Sequence, residues 1–160
     1  MKIRTEINIE EKLWKSQPQI SKKIKDLVKK IIPKTPLKNL SETIEISILL
    51  TSDSAIQELN KNYRCKNKPT NVLSFPMIDF SNFEAESDDL LLGDIAISYQ
   101  RILEEAQEQG KTFDDHLTHL LVHSILHLIG FDHEIEADAQ KMEALEIKIL
   151  KEFGIENPYL

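Results

Sequence analysis

The pattern of apolar and polar residues along the chain predicts four short strands. Residues 3–9 read IRTEINI, and residues 42–50 combine the same alternation with β-branched side chains. A period of two places alternate side chains on opposite faces of a strand, so both segments predict β-strands, the first of them at a sheet edge. The segments NVLSFPM at 71–77 and LLGDIAISY at 91–99 predict the third and fourth strands.

Apolar residues at helical spacing predict helices between and after these strands. The first covers residues 20–32 and ends at Pro33, because proline cannot continue a helix. The second covers residues 52–64, with Ser52 or Asp53 as its N-cap. Further helices are predicted at 101–110, 113–129 and 136–153, and the acidic stretch 78–90 is predicted to be a mobile excursion. We expect an α+β fold, a single layer of about four mixed strands covered by roughly five helices, in one domain over residues 1–160.

Composition limits the cellular compartments in which this domain is expected. Hydrophobic residues make up 41% of the 160 residues, and a single cysteine, Cys65, excludes an internal disulfide and fits a reducing compartment. The sequence start has no signal-peptide core, and no stretch reaches the ~18 apolar residues of a membrane span. We therefore expect a cytoplasmic protein without a membrane partner. The composition does not predict an oligomeric state.

Basic and acidic residues are divided unequally between the two parts of the chain. Residues 1–70 carry 15 basic and 8 acidic groups, whereas the remainder carries 5 and 19. The densest basic run is KNYRCKNK at 61–68, which contains Arg64 and three lysines, Lys61, Lys66 and Lys68. Such a run is either a solvated loop or a binding surface for a polyanion, and charge alone leaves the partner open.

All five histidines lie between residues 116 and 133. His116, His119, His123 and His127 fall on one face of the predicted helix, and the other positions there are apolar almost all round. A helix of that composition is buried, so its imidazoles need partners. They are either hydrogen-bonded core histidines or metal ligands.

The spacing H-x-x-x-H-x-x-G-x-x-H favours a metal. His123 and His127 lie one turn apart, Gly130 can end the helix in a left-handed conformation, and His133 can then return as a third ligand. Three protein ligands leave a fourth position open, as in catalytic sites. Zinc suits three imidazoles, but nickel and other divalent transition metals do too. A metalloprotease is disfavoured because Ser124 stands where such enzymes carry their glutamate base.

Other residues are candidates for supporting roles. Asp132, Asp114 or Asp115 can orient an imidazole N–H, or each can be a solvated surface carboxylate. Asp94 either faces the site from a strand end or makes a turn contact. Cys65 is interpreted as a bystander thiol and Trp14 as a packing residue rather than a base-stacking platform. The roles of His116 and His119 are left open.

Three sequence blocks resemble the YbeY family of metal-dependent endoribonucleases. HSILHLIGFDH is similar to the family's H-G-x-L-H-L-x-G-Y-D-H, ELNKNYRCKNKPTNVLSFP to its L-N-x-x-Y-R-x-x-D-x-P-T-[DN]-V-L-S-F-P, and LLGDIAIS to its L-G-D-I-x-I-S. The blocks follow the family order, and the resemblance covers nearly the whole chain. Ser124, Asn67 and Phe131 depart from the pattern, but none of the three metal-ligand positions does.

The resemblance implies a metal-dependent endoribonuclease specific for single-stranded RNA. It implies a zinc ion on His123, His127 and His133, Arg64 as the important basic residue, and partners among ribosomal RNA, the ribosome and assembly factors. It further implies action in maturation of the small-subunit ribosomal RNA 3′ end and in ribosome quality control. Two alternatives remain: a metal-dependent hydrolase of peptides or small molecules, and a non-catalytic ribosome assembly factor whose metal is structural.

Overall fold

The computed structural model describes residues 1–38, 40–80, 89–132 and 136–160. Within them the chain forms four strands: β1 (Lys2–Ile9), β2 (Thr43–Thr51), β3 (Val72–Pro76) and β4 (Asp89–Ser98). Its helices are α1 (Ile20–Ile31), α2 (Asp53–Arg64), α3 (Tyr99–Glu108), α4 (Phe113–Leu128) and α5 (Glu136–Glu152). Short 3₁₀ helices at Lys12–Ser16 and Ile32–Lys34, which the sequence pattern did not predict, complete the described elements.

The strands form one mixed sheet in the order β1-β2-β4-β3. Strands β1, β2 and β4 run parallel, and β3 pairs antiparallel with β4. The helix α1 provides the crossover that parallel neighbours such as β1 and β2 require. The predicted α+β class with a single mixed layer is confirmed, and β1 lies at a sheet edge as predicted.

The two faces of the sheet are covered by different helices. Ile46 and Ile48 of β2 point into a large core that also contains buried side chains of α1, α4 and α5. A second, small cluster contains Ile56 of α2 with Leu73 and Ala96, so α2 packs on the opposite face. The alternation of strand residues therefore separates α2 from α4 by the thickness of the sheet.

Trp14 links several elements of the large core. It is fully buried, and its Nε1 donates a hydrogen bond of 3.0 Å to the carbonyl oxygen of Thr51. Its ring packs edge-on against Tyr99 and Phe113 at centroid distances of 5.4 and 5.9 Å. The prediction that Trp14 is a packing residue is confirmed.

The predicted element boundaries hold within two residues, and the shifts have local causes. Helix α3 begins at Tyr99 because Ser98 caps it, its side chain accepting from the amide of Arg101. Ser52, rather than Asp53, caps α2. The prediction of an irregular excursion over 78–90 was wrong for Asp89 and Leu90, which begin β4. Residues 81–88 of that stretch lie outside the described residues.

Gly93 allows β3 and β4 to approach closely. The register between β2 and β4 shifts at this point, and Gly93 has a φ of +140°, which side-chain-bearing residues rarely adopt. A Cβ atom at Gly93 would overlap the carbonyl oxygen of Phe75 and lie 3.2 Å from Cδ2 of Leu128. The position of β3 against the end of α4 therefore depends on this glycine.

None of the helices in the described part of the chain is long and apolar enough to cross a membrane.

Candidate active site

A cleft of about 690 Å³ lies at the β3 edge of the sheet. Its walls include β3, the end of α4 and the last residues of α2. Arg64, His123 and His127 all line it, as does Asp132, which follows α4 in the chain. The structure thus brings together three of the four predicted site residues. The fourth, His133, lies outside the described residues.

His123 and His127 present adjacent imidazoles to this cleft. Their ring centroids are 4.7 Å apart, and both side chains are half-buried on a helix whose other positions are mostly fully buried. Two neutral imidazoles one turn apart are a suitable donor pair for a divalent transition metal, so the residues present fit such an ion. Among the described residues, no cluster of three potential ligands occurs, and the predicted third ligand is the undescribed His133.

The chain turns sharply after these two histidines. The amide of Gly130 donates to the carbonyl of His127 at 3.0 Å, and that of Phe131 donates to Leu126 at 3.1 Å. With Gly130 at a φ of +106°, this pair of bonds is a Schellman motif. The predicted left-handed end of the helix at Gly130 is confirmed.

Arg64 is the last residue of α2 and is exposed. Cys65 ends the helix in the left-handed conformation with a φ of 57°. The buried Asn60 fixes the following loop, because its Nδ2 donates to the carbonyl of Lys68 at 3.0 Å. Arg64 makes no ion pair with any residue that the structure describes, so its guanidinium faces the cleft without a carboxylate partner there.

A fully buried carboxylate, Glu146 of α5, lies behind His123. It accepts hydrogen bonds from Nδ1 of His123 and the hydroxyl of Tyr159, and Nε2 of His119 lies 3.5 Å from its Oε2. Burial alone would raise the pKa of Glu146, but the donors on His119, His123 and Tyr159 outweigh it and lower the pKa to about 2. Burial and the adjacent Glu146 carboxylate raise the pKa of Tyr159, which keeps its hydroxyl a donor.

Sequence reasoning missed Glu146, although a signal was present. The apolar stripe of α5 was predicted to run through Met142, Leu145, Ile149 and Phe153. Glu146 lies on that same face, one turn after Met142, and a charged residue within an apolar stripe needs a buried partner.

A second carboxylate–histidine pair, the half-buried Glu105 with the buried His116, lies near the start of α4. Nε2 of His116 is 2.9 Å from Oε2 of Glu105, and Asn71 of the cleft wall donates to both oxygens of that carboxylate at 3.0 and 3.1 Å. Burial raises the pKa of Glu105, but hydrogen bonds from His116 and Asn71 outweigh it and leave the pKa below its usual value. His116 is therefore a hydrogen-bonded core histidine.

The carboxylates predicted to support the imidazoles do not all do so. Asp114 is exposed and pairs with Lys23 of α1 at 3.0 Å, which agrees with the alternative of a surface carboxylate. Asp115 is exposed in the first turn of α4. Asp94 is exposed and lines a different groove, with Glu6 and Ser47, on the sheet face opposite to α4. Cys65 is exposed beside Arg64.

Comparison with known proteins places this geometry in a family. The family model described as Endoribonuclease YbeY matches residues 8–154. The chain belongs to the YbeY family. A relative from a Bradyrhizobium species, named Endoribonuclease YbeY, is 43% identical over 158 residues, covering 97% of this chain and 91% of the relative. A second, from Magnetococcus marinus and of the same name, is 51% identical over 129 residues, covering 73% and 84%.

The fold agrees with a solved structure as well. The solution structure of TM1509 from Thermotoga maritima matches with a TM-score of 0.57 and 25% identity, covering 95% of this chain and 91% of that one. The YbeY match includes Arg64, both described histidines of the cleft and Glu146, and it ends before Tyr159.

Proposed function

We propose that this chain is a metal-dependent endoribonuclease that cuts single-stranded RNA. The observation that carries the proposal is that His123, His127 and Arg64 line the same cleft. The chain is a member of the YbeY family, and the relatives compared above are named endoribonucleases. The proposed setting is the cytoplasm, where a lone exposed thiol such as Cys65 stays reduced. The proposed partners are ribosomal RNA, the ribosome and its assembly factors, with action in maturation of the small-subunit RNA 3′ end and in ribosome quality control.

His123, His127 and His133 would hold one zinc ion, and nickel or another divalent transition metal would suit the same donors. Such an ion supplies Lewis acidity, which polarises a phosphoryl oxygen and makes water acidic enough to give hydroxide near neutral pH. The donor types support this assignment, since neutral imidazoles leave the full charge of the ion available for that chemistry.

Arg64 binds and orients the phosphate. A guanidinium donates two parallel hydrogen bonds to phosphate oxygens, and it offsets negative charge that grows on them during the reaction. Lys61, Lys66 and Lys68 are exposed around it and attract the RNA backbone without regard to sequence. This arrangement supports a polyanionic substrate rather than a peptide, whose backbone has no charge for these four groups to bind.

The test is cleavage of a small-subunit ribosomal RNA 3′-precursor fragment by purified protein at fixed salt. We expect His127→Ala to abolish cleavage and Arg64→Ala to lower kcat/KM by about 100-fold or more. Arg4→Ala is the charge-matched control, because Arg4 is exposed on β1 and pairs with Glu45 at 3.1 Å, away from the cleft. This control should cut RNA like the unchanged protein, and circular dichroism confirms that each variant is folded.

Other outcomes favour the alternative functions. Equal cleavage by all variants would assign the activity to a contaminant and refute the proposal. Hydrolysis of a peptide or small ester that requires His127 but not Arg64 would identify a different metallohydrolase. If RNA binds but is never cut, even within intact ribosomal particles, and chelation unfolds the protein, the metal is structural and the chain is an assembly factor.

A further inference from the structure

Glu146 is a charged residue at a buried position where packing alone would favour an apolar side chain. Its neighbours on the same face of α5, Met142 and Ile149, are each 1% exposed, and Glu146 itself is 0% exposed. An ionised carboxylate loses its hydration there, and an apolar residue of similar volume would fill the space without that loss. Its presence therefore calls for a role that an apolar side chain cannot perform.

Both oxygens of this carboxylate are engaged. Oε1 accepts from Nδ1 of His123. Oε2 accepts from the hydroxyl of Tyr159 and lies 3.5 Å from Nε2 of His119. The ring of Tyr159 also packs edge-on against His119, with centroids 6.0 Å apart. The last residues of the chain thus hold the carboxylate in one orientation, with Oε1 directed at His123.

The contact between Oε1 of Glu146 and Nδ1 of His123 leaves Nε2 as the ring nitrogen that does not face this carboxylate. An ionised carboxylate has only acceptor atoms, so the bond requires a proton on Nδ1 of His123. A neutral imidazole with its proton on Nδ1 carries its lone pair on Nε2, and only a nitrogen with a lone pair can bind a metal ion.

We infer that Glu146 is a positioning residue for His123: it selects the tautomer whose Nε2 can bind the metal and fixes the direction of the ring, while Tyr159 holds Glu146 in place. The inference rests on the metal site of the proposed function. It extends that site from the cleft to α5 and to the C-terminal residues, which sequence reasoning had not connected with it.

Two measurements on the protein without RNA test this role. The first is the tautomer of His123 in metal-free protein, read from long-range ¹H–¹⁵N NMR spectra of ¹⁵N-histidine-labelled chain. The second is the affinity for Zn²⁺, measured by competition with a chromophoric chelator. A residue that only stabilises the fold would change neither in a folded variant.

Glu146→Gln keeps the size of the side chain but removes its charge and adds a donor. Because the amide can accept from Nδ1 or donate to it, the population of His123 with its proton on Nε2 should increase. We expect Zn²⁺ affinity to fall by about 10-fold to 100-fold. Tyr159→Phe removes one donor to Oε2 and should lower Zn²⁺ affinity by about 3-fold to 10-fold. Glu156→Gln, at an exposed position, is the matched control and should change neither quantity.

The inference is overturned if folded Glu146→Gln keeps the proton on Nδ1 of His123 and binds Zn²⁺ within about twofold of the unchanged chain. Should Glu146→Gln fail to fold, Tyr159→Phe decides by the same two measurements. Neither measurement uses RNA. A chain that shows the expected tautomer and affinities but never cuts RNA would refute the proposed function and leave this inference intact.

Discussion

Replacing Gly93 by alanine should damage both the stability of the fold and the wall of the cleft. The added methyl group would overlap the carbonyl oxygen of Phe75 and lie 3.2 Å from Leu128. The first neighbour is backbone and cannot rotate away, so β3 must move relative to β4. The φ of +140° adds strain of its own, because residues with a Cβ atom rarely adopt that conformation.

The size of the effect follows from these two terms. Holding alanine in this region of φ costs about 1–3 kcal/mol, and forcing packed neighbours apart costs about 1–3 kcal/mol more. We therefore expect the free energy of unfolding to fall by about 4 kcal/mol. Gly110→Ala is the control, since Gly110 also has a positive φ, +64°, but no described atom lies within 4 Å of an added Cβ. It should cost about 1 kcal/mol.

Urea unfolding followed by the fluorescence of the single, buried Trp14 measures both variants. The effect on the cleft is measured as kcat/KM for RNA cleavage at a temperature where both variants are folded. Only Gly93→Ala should lower kcat/KM, because it displaces Phe75, which lines the cleft wall. If Gly93→Ala costs no more stability than Gly110→Ala, the close approach of β3 to β4 does not exist in solution, and the reasoning fails.

Three further variants test other parts of the structure. Trp14→Phe removes the hydrogen bond from Nε1 to the buried carbonyl of Thr51, and it should lower the free energy of unfolding by about 2 kcal/mol in urea titrations followed by circular dichroism, because this variant lacks the tryptophan; a loss below about 0.5 kcal/mol would contradict that bond. Zn²⁺ at about 100 times its dissociation constant should stabilise the protein by about 2.7 kcal/mol, and calorimetry should find this gain absent from His127→Ala. Folding lowers the pKa of Glu105. Its contribution to the free energy of unfolding is therefore complete above the usual pKa of 4.5 and is lost as the pH falls from that value through the lower pKa of the folded state. The stability difference between the unchanged chain and Glu105→Gln should therefore shrink as unfolding is measured at successively lower pH in that range, and a constant difference would exclude the proposed hydrogen bonds to the ionised form.

The parts of the site that the sequence predicted depend on local geometry. The spacing of His123 and His127 fixes their relation within one helix, whatever surrounds it. The helix ends at Gly130 through a bond from its amide to His127 and one from the amide of Phe131 to Leu126, both local in sequence, so this end could also be predicted. The same holds for the α+β class, because each strand and helix has its own period of apolar residues.

The parts that could not be predicted depend on contacts between distant segments. Glu146 meets His123 across 23 positions of sequence, and Glu105 meets Asn71 across 34. Apolar periodicity says which face of a helix is buried but not which residue of another helix faces it. The three aspartates suggested as supports, Asp114, Asp115 and Asp132, were chosen for closeness in sequence, and Asp114 instead pairs with Lys23 of α1.

The order of strands explains how Arg64 reaches the histidines. Arg64 ends α2, which packs on one face of the sheet, while His123 and His127 lie on α4, which packs on the other. Across the middle of the sheet these residues would be separated by its full thickness. Strand β3 is short and lies at the edge, and the loop after Arg64 leads directly into it. The cleft therefore forms where both faces end, and a basic side chain from one face and imidazoles from the other share it because β3 is the edge strand.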